Sequence, residues 1–86
     1  MAYKLRFHEL AWAEWQKLDG SIKAPLKKKL LERRETPRVP SAALSGMADS
    51  YKIKLRQADY RLIYRVDDDV VTVSVIAAGK RNKSAV

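Results

Sequence analysis

The stretch SYKIKLRQADYRLIYRV, residues 50–66, alternates between apolar and polar side chains with a period of two. In its first half the apolar residues point to one face, and the opposite face carries Lys52, Lys54 and Arg56. A second run of the same kind follows after the short turn QAD. The alternation predicts two antiparallel strands, 51–56 and 60–66, with one buried face and one basic face.

The register of these two strands follows from keeping their apolar residues together. Pairing Leu55 with Tyr60 places Lys54 directly opposite Arg61. The other pairs expected from this register are Ile53 with Leu62, Tyr51 with Tyr64, and Lys52 with Ile63. The tyrosines are therefore expected to face the core, and the cations of both strands to share the other side of the sheet.

A third strand, VVTVSVIAA at 70–78, follows the turn DDD and is the most apolar of the three, which predicts a central position. Pairing Val66 with Val71 would place Arg61 opposite Ile76, close to where the chain continues into the basic tail. Two of the tail's cations are expected at the rim of the basic face. The predicted surface thus comprises Lys52, Lys54, Arg56, Arg61, Arg65, Lys80 and Arg81.

The residues before this sheet predict one short strand and two helices. YKLRF at 3–7 alternates like a strand, and 8–18 and 22–35 have helical periodicity. Ser21 is the expected N-cap of the second helix, and Pro25 falls in its first turns. The expected buried positions of the helices are Ala11, Trp12, Trp15, Leu18, Ile22, Leu26 and Leu30, with Lys23, Lys27, Lys28 and Arg34 outside. The layout is an α+β fold, β-α-α-β-β-β, with two helices on one face of a small, mostly antiparallel sheet.

Length and charge restrict the possible functions. A chain of 86 residues forms one domain, 1–86, and its 18 Lys and Arg against 10 Asp and Glu give a net charge of +8. Such a charge favours a polyanionic partner. With no cysteine, no disulfide or thiolate metal site is expected, and with no long apolar run at the start, no signal peptide or membrane span. The sequence thus indicates a cytoplasmic protein without membrane association.

Familiar catalytic groups are scarce. His8 is the only histidine, so a histidine pair is impossible, and its place between strand and helix favours a structural or capping role. We expect no metal site and no cofactor, since no carboxylate pair lies on the basic face and DDD at 67–69 is typical of a turn. The remaining candidates for catalytic groups are the cations of the basic face. Because crowding is expected to disfavour their protonated forms, Lys54, or Lys52, is a candidate base.

Several segments together resemble the RelE family of bacterial toxins. They are the opening MAY, LKKKL at 26–30, TPR at 36–38, LSGMADSYKIKLR at 44–56, YRLIYRV at 60–66 and VVTVSVIAAGKR at 70–81. The resemblance extends along nearly the whole chain. It implies a RelE/ParE-like, microbial RNase-like fold and the toxin of a type II toxin–antitoxin pair, an endoribonuclease that cleaves messenger RNA in the ribosomal A site. It also implies a RelB-like antitoxin, whose complex with the toxin commonly binds operator DNA.

The family's functional residues correspond here to Lys52, Lys54, Arg61 and Arg81. We further expect Arg56, Arg65 and Lys80 to bind RNA. Family members continue with a tyrosine and a short C-terminal helix, whereas this sequence stops at Val86. Either it is truncated or this toxin lacks that segment, and cleavage by this polypeptide is then expected to be impaired.

Two other functions are compatible with the sequence. A ParE-like toxin directed at DNA gyrase has a similar fold but lacks the clustered cations of the strand pair. A nucleic-acid-binding corepressor without catalytic activity is the alternative from a different class, and the absent tyrosine is compatible with it. Mapping RNA cleavage on translating ribosomes separates a nuclease from a protein that only binds.

Overall fold

The structure, a computed structural model, describes residues 2–55 and 59–80, and for residue 80 the backbone alone. It confirms the predicted order of elements and the α+β class. The elements are β1 (Lys4–Phe7), α1 (Glu9–Gln16), α2 (Gly20–Glu35), a short 3-10 helix (Pro40–Ala42), β2 (Ser50–Leu55), β3 (Tyr60–Asp67) and β4 (Thr72–Lys80). None of the helices in this described part is long and apolar enough to cross a membrane.

The four strands form one mixed sheet in the order β1-β4-β3-β2. β1 runs parallel to β4, and the other neighbours are antiparallel. The predicted central place of the last strand is confirmed. The helices α1 and α2 contact β4 and β2 respectively, and the core lies between helices and sheet.

Apolar side chains from both helices and all inward-facing strand positions fill this core. Leu26 and Leu30 of α2 are fully buried, as is Ala11 of α1. Trp12 differs from expectation: it is 46% exposed and packs its ring edge on Phe7, with ring centroids 5.1 Å apart. The predicted stripe of α1 is thus buried mainly through Ala11 and Trp15.

The second helix begins earlier than predicted. Its N-cap is Asp19 rather than Ser21, and the Asp19 carboxylate accepts a hydrogen bond from the Ser21 backbone N–H at 3.1 Å. Pro25 consequently lies inside the helix, beyond the first turn, where its missing N–H removes a helical hydrogen bond. Arg34, expected on the outside, is half-buried, and its Nε donates to the Tyr3 carbonyl at 2.8 Å, which joins the end of α2 to the start of the sheet.

The register of β2 against β3 is confirmed at every predicted pair, including Lys54 opposite Arg61. The predicted register of β3 against β4 is wrong. Val66 pairs with Val73, because the connecting turn extends to Val71, which has a positive φ of 48°. A bulge at Ile76 then shifts the pairing by one more residue.

Candidate functional site

The outer face of the sheet carries the cations that the alternation predicted. Lys52 and Lys54 lie on β2, and Arg61 and Arg65 lie on β3. Lys54 and Arg65 are exposed, whereas Lys52 and Arg61 are half-buried. Directly opposite residues of antiparallel strands have Cα atoms about 4.5–5.5 Å apart, so Lys54 and Arg61 are close neighbours. Within residues 2–55 and 59–80 these four cations form no ion pair, so their charge is available to an external anion.

The rest of the predicted surface is less completely described. Arg56 and Arg81 lie outside the described residues, so their expected roles stay predictions. Lys80 ends β4 opposite Tyr60, and its side chain is likewise outside the description. Because of the corrected register, Arg61 pairs with Gly79 rather than Ile76. No β4 side chain therefore lies directly opposite Arg61.

A buried network beneath this surface holds β2 against α2. Arg33 donates from Nη1 to the Lys52 carbonyl at 3.3 Å and to the Tyr64 hydroxyl at 2.9 Å. The Tyr64 hydroxyl in turn donates to the Pro37 carbonyl at 2.6 Å. Burial raises the pKa of Tyr64 and outweighs the opposing effect of the Arg33 guanidinium. The network fixes the backbone that carries Lys52.

Sequence reasoning missed Arg33 because a charged residue is normally assigned to the exposed side of a helix. A signal was present, since Leu26, Leu30 and Arg33 recur at spacings of four and three and therefore share a helix face. Arg33 is half-buried on that face and reaches the polar atoms at its edge.

A second network surrounds Arg38, which the sequence also did not single out. Arg38 forms ion pairs with Asp49 at 3.0 Å and Asp68 at 2.7 Å, and it donates to the Tyr51 hydroxyl at 3.2 Å. These carboxylates raise the pKa of the guanidinium, Asp68 most strongly. The Tyr3 hydroxyl donates to Asp68 at 2.7 Å, and together with Arg38 it lowers the pKa of Asp68. The cluster joins the residue before β1, the segment between α2 and β2, the start of β2 and the turn after β3.

This cluster gives the middle Asp of the DDD turn an ion-pairing role. Asp67 forms a turn contact instead, in which its carboxylate accepts from the Asp69 N–H at 3.1 Å. In the described part of the chain, no group of three or more histidine, cysteine, aspartate or glutamate side chains is arranged to hold a metal ion.

A cleft of about 490 Å³ opens where β1, β4 and β3 adjoin. Its lining combines cationic, acidic, hydroxyl and apolar groups, from Arg6, Phe7, His8, Glu9, Arg65, Asp67, Ser74 and Ile76. His8 occupies the N-cap position of α1, but its side chain forms no capping hydrogen bond. The expected structural role thus falls to its backbone, whose N–H donates to the Val75 carbonyl at 2.7 Å, and His8 is one of the residues that line the cleft.

Comparison with known proteins agrees with the fold and identifies a family. The family described as ParE toxin of type II toxin–antitoxin system, parDE, matches residues 5–84. The chain is 52% identical over 86 residues to the mRNA interferase toxin RelE of Escherichia coli K12, covering 100% of this chain and 90% of that protein. It is 46% identical over 86 residues to a putative RelE-like toxin protein of Escherichia coli, with the same coverage.

A solved structure is also similar to this chain over nearly its whole length. The isolated E. coli RelE toxin in its P21 crystal form is similar with a TM-score of 0.93 and 50% identity, covering 98% of this chain and 89% of that one. The relatives at this identity bear the RelE name, which favours the RelE type over the gyrase-directed alternative. The resemblance noted in the sequence is thereby confirmed, and the chain belongs to the RelE/ParE family of toxins from type II toxin–antitoxin systems.

Proposed function

We propose that this chain, an mRNA interferase of the RelE type, inhibits translation by cutting messenger RNA in the ribosomal A site. The observation that carries the proposal is the pairing of Lys54 with Arg61 on a basic face without ion pairs in the described residues. Adjacent unpaired cations attract a phosphodiester and favour the charge that develops on it during cleavage.

The proposed reaction is attack of a ribose 2′-oxygen on the adjacent phosphorus. Lys54, or Lys52, removes the proton of the 2′-hydroxyl, and Arg61 holds the non-bridging phosphate oxygens as negative charge builds up. The bond from phosphorus to the 5′-oxygen breaks, and Arg81 stabilises or protonates that oxygen as it leaves. The products are a 2′,3′-cyclic phosphate and a 5′-hydroxyl, and the reaction uses no metal ion or cofactor.

The proposed dependence on a ribosome is supported by the composition of this face. Single-stranded RNA is usually held by aromatic side chains on which bases stack. Tyr51 and Tyr64 are buried in the core with their rings stacked on each other, 5.6 Å apart. Tyr60, the third aromatic residue of these two strands, is half-buried and packs against the core. In the described part, β2 and β3 therefore present no aromatic ring on the basic face. A ribosome that holds the message in a fixed shape would supply the missing orientation.

A RelB-like antitoxin is the proposed protein partner. E. coli RelE, similar to this chain with a TM-score of 0.93 and 50% identity, has been solved in the intact RelBE toxin–antitoxin complex. An acidic or mixed-charge antitoxin with an amphipathic helix would cover the cations of this face. We further propose that the complex binds operator DNA and that the toxin acts in the cytoplasm, where it meets its ribosomes.

The proposal is tested by adding the protein to translating ribosomes and mapping new 5′ ends on the message. Codon-phased cuts are expected, and Lys54→Ala should reduce their rate by about 10²-fold or more. Lys28→Ala, which removes an exposed cation of α2, serves as the control and should cut normally. Protection of the message without cuts would indicate a binding protein only. Undiminished cutting by Lys54→Ala would refute its role as the base.

A further inference from the structure

We propose that the cleft lined by Arg6, His8 and Arg65 binds one nucleotide of an RNA strand, at a distance from the bond that is cut. The inference rests on the proposed function, because that function is the reason to expect RNA at this face. It adds β1 and the start of α1 to the RNA-binding surface, which the sequence had confined to the last three strands and the tail.

The two arginines of the cleft flank a single hydroxyl. In the sheet Arg6 pairs with Ser74, and Ser74 pairs with Arg65. Since neighbouring strands lie about 4.8 Å apart, the two arginine backbones are roughly 10 Å apart with Ser74 midway. A phosphate above Ser74 is within reach of both long side chains and of the hydroxyl, which are the groups that commonly contact phosphate oxygens.

The side chains of Arg6 and Arg65 are available for such a contact. Across residues 2–55 and 59–80 neither forms an ion pair or a side-chain hydrogen bond. Both residues are exposed. The proposed phosphate would therefore displace no existing salt bridge.

The acidic and apolar groups of the cleft favour a whole nucleotide over a bare phosphate. Glu9 and Asp67 would repel a small free anion, but carboxylates accept hydrogen bonds from base amino and imino groups. Ile76, which lies on the same face of β4 as Ser74, provides apolar contact for the base. The volume of about 490 Å³ lies within the range of roughly 300–1,000 Å³ found for small-molecule sites.

The cleft is continuous with the proposed catalytic surface. Arg65 and Arg61 lie on the same face of β3, four residues apart. At about 3.3 Å per residue their backbones are roughly 13 Å apart. A short RNA strand that follows β3 can place one phosphate at Arg61 and a later or earlier nucleotide in the cleft.

The test uses the double variant Arg6→Gln/Arg65→Gln in the full chain. Its control is Lys27→Gln/Lys28→Gln, which removes the same charge from exposed positions of α2. Affinity is measured against salt concentration for a single-stranded RNA oligonucleotide and, separately, for ribosomes without message. The cleft variant should lose at least tenfold in affinity and lower the salt slope by about 1 for the phosphate contact. The control should change affinity less than threefold.

The two binding partners identify the source of the nucleotide. Loss of oligonucleotide binding assigns it to the message, whereas loss confined to ribosomes assigns it to ribosomal RNA. Equal weakening by both double variants, or no weakening with either partner, overturns the proposal.

His8 provides a second readout because it is the only histidine. Its imidazole resonances should shift or broaden when the partner that lost affinity in the first test, the oligonucleotide or the ribosome without message, is added to the wild-type protein. The shift should be absent in the Arg6→Gln/Arg65→Gln variant. Unmoved resonances in the wild type, or an equal shift with the same concentration of inorganic phosphate, would contradict a nucleotide site.

These binding measurements separate the inference from the proposed function. If the protein does not cut messages, affinity and His8 resonances still report whether the cleft binds RNA. If the protein cuts messages but the cleft variant binds like wild type, the nuclease proposal stands and the cleft inference fails.

Discussion

Replacing Tyr64 with Phe tests the buried network that holds β2 to α2. The ring of Tyr64 is fully buried, so Phe retains its packing and removes only the hydroxyl. That hydroxyl accepts from Arg33 at 2.9 Å and donates to the Pro37 carbonyl at 2.6 Å. Tyr64→Phe therefore removes two hydrogen bonds without creating a large cavity.

The expected loss of stability follows from the two partners. A hydrogen bond to a charged donor contributes about 1.5–3 kcal/mol, and a buried carbonyl without a partner costs about 1–3 kcal/mol. In the variant Arg33 keeps its hydrogen bond to the Lys52 carbonyl, which is 3.3 Å long in the wild type. The loss of its hydrogen bond to Tyr64 therefore costs less than the full contribution of a bond to a charged donor. We expect a loss of about 2–4 kcal/mol in the free energy of unfolding, a large part of the total for a domain of this size.

Urea unfolding and thermal unfolding measure this loss. For a domain of this length a loss of 1 kcal/mol lowers Tm by roughly 4–8 °C, so Tyr64→Phe should lower Tm by at least about 8 °C. Tyr51→Phe is the matched control, because its ring stacks on Tyr64 and, among residues 2–55 and 59–80, its hydroxyl hydrogen-bonds only with Arg38, which also has two carboxylate partners. The control should lose less than about 1 kcal/mol. Equal stability of the two variants would refute the role given to the network.

Three further outcomes are expected. Leu26→Ala, at a fully buried position of α2, should cost about 2–5 kcal/mol in urea unfolding. Asp19→Ala should cost about 1 kcal/mol because it removes the N-cap of α2, and an unchanged midpoint would contradict that assignment. The hydrogen bond from Tyr3 and the charge of Arg38 lower the pKa of Asp68, so its carboxylate stabilises the fold above its ordinary pKa of 3.8, and this contribution is lost as the pH falls through the lowered value. The stability difference between wild type and Asp68→Asn, followed by urea unfolding across pH, should therefore be full near neutrality and vanish in strong acid.

The part of the fold that the sequence predicted best is the part with the strictest alternation. A slip of one residue between β2 and β3 would exchange the buried and basic faces. Neighbouring registers are therefore unfavourable, and the pairing of Lys54 with Arg61 could be predicted. Between β3 and β4 the alternation is weaker, because the second half of β4, residues 75–78, is apolar on both faces. The longer turn and the bulge at Ile76 then moved the partner of Arg61 by three residues, from Ile76 to Gly79.

The residues of the functional surface also divide into those that the sequence predicted and those that required the structure. Cations on one strand pair are visible in sequence as a period-two pattern, which led to Lys52, Lys54, Arg61 and Arg65. Arg6 lies on a strand whose parallel pairing with β4 connects residues far apart in sequence, so its proximity to Arg65 needed the sheet order. Arg33 was missed for a different reason. Its charge predicts an exposed side chain, whereas its hydrogen-bond partners lie at the edge of the core.

The parallel pairing of β1 with β4 also has a consequence for synthesis on the ribosome. The first strand made has no partner in the sheet until residues 72–80 have been translated. Before then the β2–β3 hairpin lacks its central neighbour, and an isolated two-stranded hairpin is at best marginally stable in water. A nascent toxin therefore presents its paired cations in a fixed arrangement only after the ribosome has translated the residues of β4.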